Sequence, residues 1–163
     1  MSKSLDSPHG GFIIKIYGKT KAFMMEAGFV IFGTTADVGV ESWGRDLKEA
    51  FEKQAEGMFA VMVEAETVRA RETFIISGEG DDDERLLASF LEELLFVFDA
   101  KRVFLKEFRI ISIGGGKIRA EARGEEIDQS RHVVLTPIKA VTYHMLEVKK
   151  TDKGCKTRVV YDI

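Results

Sequence analysis

The chain has 163 residues, 45% of them hydrophobic, with 27 acidic against 24 basic residues and a formal net charge of -3. That is the size of one domain able to bury a core without disulfides or a structural metal. The charge supplies no global positive field for a nucleic-acid backbone, so any RNA contact has to be local or borrowed from a partner.

The lone cysteine, Cys155, rules out an internal disulfide and suits a reducing compartment. No apolar run approaches the roughly 20 residues that cross a bilayer, and no apolar signal core follows the first residues. The reading is a cytoplasmic protein without a membrane segment.

In chain order, residues 1–27 read as an N-terminal extension, disordered in part or preceding the true start at Met24 or Met25, with one strand-like piece at Phe12 to Ile16. Gly28 to Phe32 reads as a strand, and after the Gly33-Thr34-Thr35 turn signal a second runs Val38 to Ser42, with Asp37 where the chain turns. Asp46 followed by Glu49 matches a capping box, and Leu47, Ala50, Phe51, Ala55, Met58, Phe59 and Met62 recur at helical spacing, predicting a helix over Leu47 to Val63.

Val68 to Ser77 is β-branched and aromatic and predicts a strand ended by Gly78-Glu79-Gly80. The run Asp81 to Glu84 suits the positive end of a helix dipole better than a metal site, and Leu86 to Phe98 supply that helix with a broad apolar face. Val103 to Ile113 and Lys117 to Arg123 alternate with period two around Gly114-Gly115-Gly116, predicting a hairpin with Ile118, Ala120 and Ala122 inward. Those glycines lack the Lys-Ser or Lys-Thr of a phosphate loop.

The last third predicts strands over Ile138 to Lys149 and Thr157 to Ile163, joined by a turn at Thr151 to Gly154. Strict alternation would put Lys139, Val141, Tyr143 and Met145 on one face and Ala140, Thr142 and His144 on the other, with Tyr143 a packed aromatic. The architecture expected is α+β, two helices packed on a largely antiparallel or mixed sheet.

His9, His132 and His144 have no zinc-type spacing, and Cys155 lies near a turn with no partner for nucleophilic catalysis. Asp162 beside the carboxylate of Ile163 offers oxygens suited to calcium or magnesium, but a tight site needs a further ligand that spacing does not choose.

Four segments, in this order, resemble the archease family: Thr35-Ala36-Asp37-Val38-Gly39; Trp43-Gly44 leading to Leu47 and Glu49-Ala50-Phe51; Lys139-Ala140-Val141-Thr142-Tyr143-His144; and Asp162-Ile163. Phe90 to Leu95 with Phe98-Asp99, and Gly124-Glu125 with Arg131-His132, are similar too, so the likeness covers residues 28–163. The resemblance implies a non-catalytic accessory protein that promotes guanylylation and multiple turnover of an RtcB-type RNA ligase in tRNA splicing, meeting tRNA through that ligase. It also implies a divalent metal site, usually calcium, at Asp37, Asp162 and Ile163, and a functional, partner-facing lysine at Lys139.

One departure is Thr34, where the family usually has a histidine that Thr cannot replace as proton or metal ligand. The rival readings are a metal-dependent phosphoesterase, for which no general base is evident, and a chaperone-like RNA-associated module, which the acidic balance and the lack of an aromatic-basic stripe disfavour.

Overall fold

The structure, a computed structural model, describes residues 26–33 and 36–163, together with the backbone pairing of two strands at 3–6 and 13–17. Strands β1 (Lys3–Asp6), β2 (Ile13–Tyr17), β3 (Gly28–Gly33) and β4 (Asp37–Gly44) follow one another as antiparallel neighbours. The strand-like piece expected at Phe12 to Ile16 is β2, while the alternative starts at Met24 and Met25 and the Thr34 departure fall outside the described residues.

Helix α1 spans Leu47–Met62, one residue short of expectation. Asp46 caps it, its carboxylate accepting the Glu49 N–H at 2.9 Å, while the Glu49 carboxylate turns outward to Arg45 at 2.7 Å. Only the first half of the capping box is thus made. Its buried face includes Phe51, Met58, Phe59 and Met62, and truncating a buried phenylalanine there costs about 3–5 kcal/mol. Gly57 lets the helix lie flush on the sheet, since a Cβ there would stand 2.4 Å from Val40 Cγ1.

A short 3-10 turn at Ala65–Thr67 delays β5, which runs Glu72–Glu79 and not from Val68; Val68 is instead a buried plug after that turn. Gly78 belongs to the strand because α2 (Asp83–Lys101) packs over it, a Cβ there meeting Ser89 Oγ at 3.0 Å. The acidic run is the cap expected: Asp82 accepts the Arg85 N–H at 2.7 Å.

β6 (Val103–Gly114) and β7 (Lys117–Glu126) form the predicted hairpin, turning at Gly115 and Gly116 with φ of 59° and 74°, a conformation that excludes most side chains. With β5 they make a three-stranded antiparallel sheet, β5-β7-β6.

The expected strand over Ile138 to Lys149 is broken in two, β8 (Ala140–Val141) and β9 (Glu147–Thr151), by a turn in which Met145 has φ 57°. The predicted alternation therefore fails past Thr142, and Tyr143, expected to pack inside, is 61% exposed. The physical reason is that both segments pair with one strand, β10 (Gly154–Asp162), β9 along its first half and β8 at its end.

Among the described residues the larger sheet is seven-stranded, in the order β1-β2-β3-β4-β10-β8 with β9 also on β10, and every pairing is antiparallel. The two helices fill the space between the sheets. α1 lies on β3, β4 and β10 and touches β6, whereas α2 lies on β5 and reaches β8 and β9. The expected α+β class with two helices holds, with two sheets in place of one and no parallel pairing among the described strands.

Candidate metal centre

β10 is flanked on both sides, its side chains point alternately to its two faces, and both faces are covered over Val159 to Tyr161. Tyr161 points inward and is fully buried, its hydroxyl accepting from Gln54 Nε2 at 2.8 Å. Thr157 Oγ1 donates to Gln54 Oε1 at 2.6 Å and lies 2.6 Å from Ser42 Oγ, so a buried polar chain ties β10 to β4 and α1. Burial pushes the Tyr161 phenol well above its ordinary range.

Alternation then turns Asp162 outward, and its register partner across the strand pair is Asp37, the first residue of β4. Both are exposed. Residues directly opposite on antiparallel strands have Cβ atoms about 5 Å apart, and like charges there repel. A hard cation taking oxygens at about 2.3–2.6 Å bridges such a pair without strain.

Ile163 follows directly, its side chain packed on the hydrophobic core, which holds the last backbone atoms beside the two aspartates. Lys139 comes to the same end: its backbone N–H donates to the Asp162 carbonyl at 2.8 Å, while its side chain is exposed. All four residues named from the sequence are therefore gathered at one end of β10. Among the described residues no three Asp, Glu, His or Cys side chains converge as metal ligands. A cation at the aspartate pair must draw on main-chain or terminal oxygens as well, and the terminal carboxylate of Ile163 is of that kind. Oxygen donors of this kind suit a hard cation such as calcium or magnesium.

A second charged cluster, which spacing alone did not reveal, sits at the far end of β7. Glu125 is 5% exposed, and its Oε1 accepts from Arg131 Nη1 at 2.7 Å, from the Arg69 N–H at 2.9 Å and from His132 Nε2 at 2.8 Å. The Asp128 N–H donates to His132 Nδ1, so the neutral ring carries its proton on Nε2. The Arg131 guanidinium, with His132 and the Arg69 N–H, outweighs burial and holds the Glu125 carboxyl down at about 2. The sequence signals are that Gly124-Glu125 and Arg131-His132 both fall in segments like the archease family and that Glu125 adjoins an inward run of Ile118, Ala120, Ala122 and Gly124.

These placements bear on catalysis. His132 has both ring nitrogens engaged, His144 is exposed in the turn after β8, and Cys155 is buried in β10 with its thiol pushed up to about 11 by burial. A thiol so raised is a poor nucleophile.

The profile of the Archease protein family matches residues 29–163. A protein archease of Danio rerio is 41% identical over 73% of this chain and 75% of its own length. The solution structure of a Methanobacterium thermoautotrophicum protein, 36% identical, superposes with a TM-score of 0.72 over 83% of this chain and 98% of that one. The crystal structure of a Thermotoga maritima archease, described as a possible chaperone, has a TM-score of 0.55 at 18% identity, covering 90% of this chain and 100% of that one, and shares the fold alone. No helix among the described residues is long and apolar enough to cross a membrane. With the match running from β3 to the final residue, through both aspartates that the registry of β4 and β10 sets face to face, the chain belongs to the archease family.

Proposed function

We propose that this protein is a cation-binding accessory factor that activates an RtcB-type RNA ligase in tRNA splicing, promoting its guanylylation and repeated turnover, with catalysis left to the ligase. The observation that supports this most is the register pairing of Asp37 with Asp162, which gives the two carboxylates implied by the family likeness one shared location. Asp37, Asp162 and the Ile163 carboxylate would hold one divalent cation, calcium as the family likeness implies, with oxygen donors that suit a hard ion. A cation held there would neutralise the pair where β10 and β4 meet.

Lys139, tethered through its backbone to Asp162, presents an exposed ammonium beside that site, a point charge suited to a phosphate or an acidic ligase surface. Residues 28–163 form the working unit, with residues 1–27 an N-terminal extension, in the cytoplasm, and tRNA is met through the ligase.

The test is multiple-turnover ligation by a cognate ligase with wild type, Asp37→Ala, Asp162→Ala and a chain extended beyond Ile163, each checked for folding by circular dichroism. Wild type should stimulate and the three variants should not. No stimulation by wild type removes the ligase reading, and undiminished stimulation by both aspartate variants removes the cation site.

A further inference from the structure

The seven-stranded sheet holds a second like-charged pair, opposite in sign to the aspartates and at the other end of β10. Ser42 and Thr157 point towards α1, where Ser42 Oγ donates to the Ala50 carbonyl, so alternation turns their neighbours Trp43 and Lys156 to the outer face. Register lays two rows across that face: Gly28, Trp43, Lys156 and Lys149, and beside it Val30, Glu41, Arg158 and Glu147.

In the second row both carboxylates are turned to Arg158, Glu41 at 3.7 Å and Glu147 by a shorter contact. The first row has no such match. Lys156 and Lys149 stand directly opposite one another, where like charges repel, and both are exposed. Among the described residues neither has a carboxylate within ion-pair distance. From Lys149 to Lys156 the hairpin carries four lysines against Asp152 alone, and only Lys150 is held, by Asp83 of α2 at 2.8 Å.

We propose that Lys149, Lys156 and Trp43 form a binding site for a mononucleotide, the two ammonium groups chelating its phosphate and the indole carrying its base. An ammonium has three donors and no acceptor, so a facing pair calls for one compact ligand rich in acceptors, which a phosphate monoester is. Trp43 completes the row on the far side of Lys156. It is half-buried, and its indole N–H donates to the Glu26 carbonyl at 2.8 Å, which fixes the ring.

Trp43 and Lys149 lie two strands apart, about 9.6 Å, a span that a base, a ribose and a phosphate cover together. Every base has a π face, so recognition is of ring and phosphate and not of base identity. Lysines on an edge strand such as β9 also deter pairing with other chains. That role needs neither Lys156, on an interior strand, nor Trp43. The site lies six residues along β10 from Asp162, about 20 Å, and does not depend on the cation reading.

Trp43 is the only tryptophan, so the intrinsic fluorescence of the full chain reads this position alone. Titration with uridine monophosphate at low salt should change it saturably, inorganic phosphate should compete, and uridine should have no effect at the same concentrations. Lys149→Ser and Lys156→Ser should each weaken binding about fivefold, the upper end for an exposed ion pair. Lys101→Ser, at the exposed end of α2, should not change it. Lys149→Glu should abolish binding and raise the thermal midpoint, because it turns the opposed pair into a matched one. Absence of a saturable change, an equal response to uridine, no competition by phosphate, an equal loss with Lys101→Ser, or tighter binding of a phosphorylated oligouridylate than of the monophosphate each overturns the proposal.

Discussion

Two charged clusters in this molecule follow opposite rules. Around Glu125 a buried carboxylate is neutralised inside the chain by Arg131, His132 and the Arg69 N–H. At the end of β10, Asp37 and Asp162 face each other with the same sign, exposed. The first arrangement is complete as it stands and braces the fold. The second is a like-charged pair that an added positive charge would relieve, as the cation site proposed there requires.

The largest test of this contrast is Glu125→Gln, expected to destabilise by about 2–3 kcal/mol in urea unfolding because it removes the buried charge that accepts from Arg131, His132 and the Arg69 N–H. The Glu125 carboxyl is held at about 2, below its ordinary value, so its stabilisation is fully present above about pH 4.5 and is lost as pH falls towards 2. In the variant the stability curve should flatten in that window. An unchanged acid limb would mean that the cluster does not brace the fold.

Tyr161→Phe comes next, at about 1–2 kcal/mol, because Gln54 Nε2 loses its buried acceptor one residue before Asp162. Asp37→Asn should be the smallest and opposite in sign, raising stability in chelator by a few tenths of a kcal/mol through relief of like-charge repulsion. It should also abolish the rise in thermal midpoint expected of wild type on adding calcium, a rise that grows with the ratio of free cation to Kd. If Asp37→Asn destabilises in chelator, the pair is structural and the contrast between the clusters collapses.

How much of this was legible in the sequence depends on whether local pattern or a distant partner decides each element. α1 and α2 follow from caps and apolar spacing within their own residues, and the β6–β7 hairpin follows from three glycines between alternating runs. β8 and β9 do not follow in this way: their lengths are set by how β10 divides its free side, and the left-handed turn at Met145 has no glycine to announce it. Asp162 and Ile163 stand out as adjacent oxygen donors, Asp37 and Lys139 only through family likeness, and the common location of all four emerges only from the registry of β10.

The pairing of β4 with β10 closes a long loop, as the contact between Ser42 and Thr157 shows, 115 residues apart in the chain. Non-local pairings of this kind form late and slow the folding of a domain. A cation held by Asp37 and Asp162 would then have no binding site in a half-folded chain, so calcium occupancy would count native molecules alone and pull the last closure step forward by mass action.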